Sequence, residues 1–137
     1  MNIVLDTNVL VAGLLSPFGL CGEIVRMVSS GELTLSFDAR ILRGYEEVLA
    51  RPKFKFDKDK VAALLDQIEY RGLTVASSPL FQSLPDLDDE PFLEVALAVD
   101  VICLVTGHQV HFPSDLCRAV TVLSPGEFLA FYKNQHN

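Results

Sequence analysis

Ile3-Val4-Leu5-Asp6-Thr7-Asn8-Val9-Leu10-Val11-Ala12 is the stretch whose reading decides the fold class. A short apolar run ends in a polar triplet, after which the apolar pattern resumes as a helix-like stretch. The segment reads as a buried strand turning directly into a helix, with Asp6 at the strand's carboxyl end. A carboxylate there is costly unless water, a hydrogen bond or a cation compensates it. Asp6 or Thr7 as a simple helix cap is one account, with Asn8 satisfying backbone donors in the same way. A functional site is the other.

Working outward, Leu20, Ile24, Met27 and Val28 mark a second helix closed by Ser29-Ser30-Gly31, and Leu33-Thr34-Leu35-Ser36 a short strand. Asp38 is positioned to cap a third helix with Ile41, Tyr45, Val48 and Leu49 inward, stopped by Arg51-Pro52. Asp57 is positioned to cap a fourth, with Val61, Leu64, Leu65 and Ile68 on one face and Gly72 at its end. Leu73-Thr74-Val75 is a small extended segment, and Ser77 to Pro85 a polar, proline-bounded loop. A fifth helix starts near Asp88-Asp89 and runs through Phe92 to Val99, with carboxylates in its first turn where the helix dipole favours them.

Val101-Ile102-Cys103-Leu104-Val105 is continuously apolar, the pattern of a strand buried on both faces, and it ends at Thr106-Gly107-His108. A last strand over Ala119 to Leu123 leads into Ser124-Pro125-Gly126-Glu127, a capping box with proline at the first helical position. Strands alternating with helices predict an α/β sandwich around a parallel sheet. Ligands of such folds gather at the carboxyl ends of strands, near a switch in strand order. Asp6 and His108 both fall on that edge.

The chain's 137 residues leave room for one domain, taken as 1–137. Half are hydrophobic and 21% charged, which excludes disordered, collagen-like and coiled-coil classes. Eighteen acids against eleven bases give a net charge of −7, the wrong sign for holding nucleic acid by phosphate neutralisation alone. Any nucleic-acid role then rests on a local basic patch or on metal ions. No Lys or Arg occurs from Gly72 to Cys117, the stretch that carries Asp86, Asp88, Asp89, Glu90 and Glu94. Cys21, Cys103 and Cys117 show neither a disulfide framework nor zinc-site spacing, pointing to a reducing compartment. The absence of a secretory pattern and of a membrane-length apolar run points to a cytoplasmic protein with no membrane role.

Asp86-Leu87-Asp88-Asp89-Glu90 is denser in acid than a cap requires. Clustered carboxylates repel one another unless solvent or a hard cation relieves them. Taken with Asp6, the pattern fits a Mg²⁺ or Mn²⁺ site, because Mg²⁺ prefers one or two carboxylates plus waters and phosphate oxygens. Arg51, Lys53, Lys55, Lys58 and Lys60, with Phe54 and Phe56 interleaved, read in two ways. Lys53 and Lys55 could contact an RNA backbone beside a stacked base, or the segment is a solvated helix start whose aromatics enter the core.

Leu5-Asp6-Thr7-Asn8-Val9-Leu10, Tyr45-Glu46-Glu47-Val48-Leu49-Ala50-Arg51-Pro52-Lys53-Phe54, Asp86-Leu87-Asp88-Asp89-Glu90-Pro91-Phe92-Leu93 and Leu104-Val105-Thr106-Gly107 together resemble the PIN domain. The branch they most resemble is the bacterial toxins of toxin–antitoxin systems related to VapC, whose His-Phe-Pro ending is similar to His111-Phe112-Pro113. The resemblance covers nearly the whole chain, in order. It implies a three-layer α/β/α sandwich with a central parallel sheet and a metal-dependent endoribonuclease acting on single-stranded RNA. It further implies Mg²⁺ or Mn²⁺ as cofactor, a cognate antitoxin as partner, and a homodimer, for which Leu14, Phe18 and Leu20 are candidate apolar surface. By position, Asp6 matches the family's first acid and Asp89 its third, while Asn8 and Thr106 match polar residues that support the site.

Two positions depart from the pattern. Gly44 stands where the family's second acid sits, and His108 where an Asp or Asn usually follows Thr-Gly. Glu47, three residues past Gly44 on the adjoining turn, is a candidate replacement. His108 is a candidate ligand favouring Mn²⁺ or a softer ion over Mg²⁺, or a base near neutral pH; the plainer reading is a surface histidine. These departures support an alternative, a degenerate PIN domain that binds RNA or a protein partner without cutting. Other small α/β classes fit less well: a receiver domain needs a lysine after its last strand, haloacid-dehalogenase phosphatases need Asp-x-Asp, and nucleotide binders need Gly-rich loops that are missing here.

Overall fold

Ile3, Val4 and Leu5 have no exposed surface, as expected of a strand covered on both faces. They belong to β1 (Asn2–Leu5), the middle strand of the sheet in the computed structural model, which describes residues 1–117 and 119–135. The order along the chain is β1, α1 (Thr7–Leu15), α2 (Leu20–Ser30), β2 (Thr34–Phe37), α3 (Ala39–Leu49), α4 (Lys58–Arg71) and β3 (Leu73–Thr74). Then follow α5 (Glu90–Ala98), β4 (Leu104–Val105), β5 (Val122–Leu123) and α6 (Pro125–Gln135), with 3-10 turns at Pro52–Phe54, Leu87–Asp89 and Gln109–His111.

The five strands run in the order β3-β2-β1-β4-β5, and every pairing is parallel. Among the described residues six helices flank the sheet, in the three-layer α/β/α sandwich expected from the sequence. α5 packs on β1, β2 and β4, while α2 packs against α1, α4 and α6. The chain builds β1, β2 and β3 outward on one side, then crosses back to place β4 against β1. The β1–β4 boundary is therefore the switch in strand order, the position where open α/β sheets bind ligands at the strands' carboxyl ends. Register there pairs Val4 with Leu104 and Leu5 with Val105, which brings Asp6 and Thr106 side by side.

The local signals act as read at most helix starts. Asp38 accepts from Ile41 N at 3.0 Å, and Asp57 from Asp59 N and Lys60 N at 2.9 and 3.2 Å. The Ser124/Glu127 box is reciprocal: Glu127 N donates to Ser124 Oγ at 3.1 Å and Ser124 N to Glu127 Oε1 at 2.9 Å. Gly31 closes α2 in the left-handed conformation, φ 84°. The segment 77–85 is an irregular loop, held down by Leu84, which is 4% exposed.

Three expectations require correction. The strand foreseen over Val101–Val105 is regular only at Leu104–Val105, and Ile102 is 46% exposed. Its N–H still reaches Asn2 O at 3.0 Å, so the chain is aligned with β1 there, but at the open rim of the sheet. The last strand likewise shrinks to Val122–Leu123, with Ala119 exposed; Arg118 lies outside the described residues. Val48 is half-buried rather than a core residue, because it lines a cavity beside Asp6. No single helix among the described residues is long and apolar enough to cross a membrane.

α1 and α2 cross closely at Gly13, where a Cβ would stand 2.4 Å from Val25 Cγ2 and 2.6 Å from Cys21 O. Gly13→Ala should therefore destabilise the protein by about 1–3 kcal/mol in chemical denaturation, outweighing the ~1 kcal/mol that alanine returns in helix propensity. An unchanged or raised midpoint would contradict this packing.

Candidate functional site

Asp6 closes β1 and precedes α1, yet its side chain makes no cap hydrogen bond, which corrects the cap account of this residue. Its Oδ2 instead accepts from Thr106 Oγ1 at 2.7 Å and from Asn8 Nδ2 at 3.3 Å. Asn8 also accepts from Gly107 N through Oδ1 at 3.3 Å, joining the start of α1 to the loop after β4. Thr106, fully buried, accepts in turn from His108 N at 3.0 Å. Both side-chain bonds fall on Oδ2 of Asp6. Beneath them Tyr45, fully buried on α3, donates to Leu5 O at 2.5 Å. Burial, then the Asp6 charge, pushes the Tyr45 phenol above its ordinary range, so it remains a donor.

Asp6 is 5% exposed, and burial raises its carboxyl pKa; the Thr106 hydrogen bond, the Asn8 N–H, His108 and the Thr7 N–H oppose that rise. Asp89, at the end of the 3-10 turn before α5, is 8% exposed. Burial first, then the charges of Asp6 and Asp86, push its carboxyl up to about 6, while His111 acts in the opposite direction. Both carboxylates line one open cavity of about 400 Å³ together with Asn8, Val48, Asp88 and Phe92.

Three other acids of the segment are committed to structure, while Asp88 is exposed at the cavity. Asp86 Oδ1 accepts from Asp88 N at 3.0 Å, Glu90 from Leu84 N at 2.9 Å, and Glu94 from Leu80 N at 3.3 Å. Glu94 also pairs with Arg40 at 2.7 Å, and Arg40 holds Asp38 at 2.6 Å. Asp89 is the exception: its Oδ2 is the only buried side-chain oxygen or nitrogen among the described residues without a hydrogen-bond partner. Two nearly buried carboxylates, one with an unpartnered oxygen, form a hard-oxygen donor set that fits a divalent cation.

The remaining candidates fall elsewhere. Glu47 is exposed and lines a neighbouring cavity of about 550 Å³ with Thr7, Gly44 and Asp88, not the one shared by Asp6 and Asp89. A Cβ built on Gly44 meets nothing within 4 Å, so the missing acid leaves open space. His108 is exposed and its ring stacks on His111 at 5.1 Å between centroids. Lys53 and Lys55 are exposed and line neither cavity; Lys53 Nζ sits 5.1 Å over Phe54, which stacks on Phe56 at 5.2 Å. Phe56 packs partly against the core, so the segment is a helix lead-in with one aromatic inward and a basic rim outward.

Sequence reasoning missed His111 and Asp86 as site residues. His111 Nδ1 lies 3.0 Å from Asp89 Oδ2, and Asp86, Asp89 and His111 bring ligand atoms within 4.8 Å of one another. The available signal was the spacing of His108 and His111, which the 3-10 turn at Gln109–His111 converts into a ring stack.

A family model described as the PIN domain matches residues 2–109. The chain belongs to the PIN domain family. PIN domains are typically nucleases that use divalent metals, which suggests a nuclease here and agrees with the oxygen-rich donor set around Asp6 and Asp89. Searches of curated proteins and of solved structures return no match.

The raised Asp89 carboxyl has a consequence for stability. The folded protein keeps this proton up to about pH 6, whereas an unfolded chain releases it near ~3.9. The stabilisation is complete below the unfolded value and is lost as pH rises through the folded one. Asp89→Asn should therefore raise the unfolding free energy at pH 7–8 in chelator, by roughly 1–2 kcal/mol after allowance for solvent screening, with the gain, read by chemical denaturation, vanishing near pH 4. A destabilised variant at pH 7–8 would refute the assignment.

Proposed function

We propose that this PIN domain is a metal-dependent endoribonuclease that hydrolyses single-stranded RNA, the toxin of a toxin–antitoxin pair in the cytoplasm. The observation that carries the reading is the pair Asp6 and Asp89, buried, electrostatically coupled and lining one cavity at the β1–β4 switch, with Asp89 Oδ2 contacted only by His111 among the described residues. Asp6 and Asp89 would hold Mg²⁺ or Mn²⁺. Such an ion supplies activated water and charge stabilisation at the phosphate.

The chain's own residues prepare that chemistry. Thr106 and Asn8 hold the Asp6 carboxylate in one orientation through its Oδ2. Tyr45 anchors the carbonyl of Leu5 directly before it. The cavity is open, as an RNA strand requires, and a bound cation would reverse the local sign that a −7 chain otherwise presents to phosphate. Lys53 and Lys55, with Phe54 beside them, are proposed to hold the RNA backbone away from the scissile bond. Phe18 and Leu20, 98% and 56% exposed, supply apolar surface for a homodimer or for a cognate antitoxin encoded nearby.

Gly44 favours a second reading, a degenerate PIN domain that binds RNA or protein without cutting, since the second acid is replaced by open space. One assay separates the two. Purified protein with Mg²⁺ or Mn²⁺ should cleave unstructured RNA; Asp6→Asn and Asp89→Asn should each lower the rate about 10²-fold or more, and Gly44→Asp should raise it. No cleavage by wild type or Gly44→Asp with either ion would hand the site to the binding reading.

A further inference from the structure

We propose that His111, with Asp86 and Asp89, forms a nitrogen-containing cation site that selects Mn²⁺ over Mg²⁺. The inference deepens the metal-dependent reading above and rests on it through Asp89, which both share. His111 lies just beyond the residues 2–109 matched by the family model, and it is the structure that brings it to Asp89.

Three observations converge. The ligand atoms of Asp86, Asp89 and His111 all lie within 4.8 Å of one another. Asp89 Oδ2, fully buried, stands 3.0 Å from His111 Nδ1 and has no other partner among the described residues. An octahedral ion with bonds of about 2.1 Å holds neighbouring ligands about 3 Å apart, the separation of the His111–Asp89 pair. Asp86 completes the set: Oδ1 is committed to Asp88 N, and Oδ2 remains for a cation.

The donor chemistry decides the ion. Two carboxylates balance a divalent charge, and a neutral imidazole adds a borderline donor that Mg²⁺, which holds to oxygen and water, accepts poorly. First-row transition ions accept it readily. His108 is a positioning residue in this arrangement. Its ring stacks on His111 at 5.1 Å and 25°, which limits rotation of the imidazole whose Nδ1 faces Asp89. Among the described residues no set of three potential ligands containing His108 comes within the same mutual distance.

Pulsed electron paramagnetic resonance of the Mn²⁺-loaded full chain should show imidazole nitrogen coupling that disappears in His111→Gln and persists in His108→Gln. Titration calorimetry with Mn²⁺ and Mg²⁺ separately should show tighter Mn²⁺ binding in wild type. His111→Gln should weaken Mn²⁺ about tenfold and leave Mg²⁺ nearly unchanged, with circular dichroism confirming an intact fold. Mn²⁺ bound without nitrogen coupling, yet lost in Asp89→Asn, would overturn the role of His111 while leaving the Asp6–Asp89 reading in place. Nitrogen coupling that depends on His111 supports the proposal even if no RNA is cut. Absence of binding by either ion would defeat both.

Discussion

The 2.7 Å hydrogen bond from Thr106 Oγ1 to Asp6 Oδ2 spans a hundred residues of chain and holds the site together. It exists because β4 lies parallel to β1 with Leu5 opposite Val105, so each strand delivers its next residue to the same point. A carboxylate in that position is desolvated, and leaving it without partners would cost several kcal/mol. Thr106 and Asn8 offset that cost on one oxygen only. The sheet, not a flexible loop, sets where the carboxylate stands.

Charge around this point is managed by division of labour. Of the acids between Asp86 and Glu94, Asp86 caps the 3-10 turn, Glu90 ties down Leu84, and Glu94 binds Arg40 and the loop at Leu80. Arg40 is committed to Asp38 and Glu94 and is not offered to a substrate phosphate. Asp89 therefore faces Asp6 with no arginine or lysine among its electrostatic partners, and its carboxyl is driven up to about 6. Such an arrangement costs stability, a pattern typical of sites kept for function.

Much of this was legible in the sequence for physical reasons. Apolar runs with a single polar stop specify buried parallel strands, so Ile3–Leu5 and the Leu104–Val105 end of the later run were readable, as were the caps at Asp38, Asp57 and Ser124. Asp6, Asn8 and Thr106 are hydrogen-bonded together, and Asp89 lines the same cavity as Asp6 and Asn8, because strand ends and a helix start carry them there. Strand length was less legible, since Val101 and Ile102 are apolar yet sit at the sheet's rim. His111 was hidden for a different reason. A histidine in a short 3-10 turn has no periodicity to betray its partner, and only the fold brings it to Asp89. Glu47 shows the converse, a plausible helical offset from Gly44 that opens onto the adjacent cavity.

The central claim is that Asp6 and Asp89 form one coupled acidic pair prepared for a cation. Carboxyl ¹³C NMR of the metal-free chain, following Asp89 through a pH titration in wild type and in Asp6→Asn, measures this directly. The account predicts a midpoint near 6 in wild type, a lower one in Asp6→Asn, and a fall toward ordinary carboxylate values when Mg²⁺ is added. An Asp89 that titrates at about 4 in wild type, indifferent to Asp6→Asn and to the ion, would contradict it.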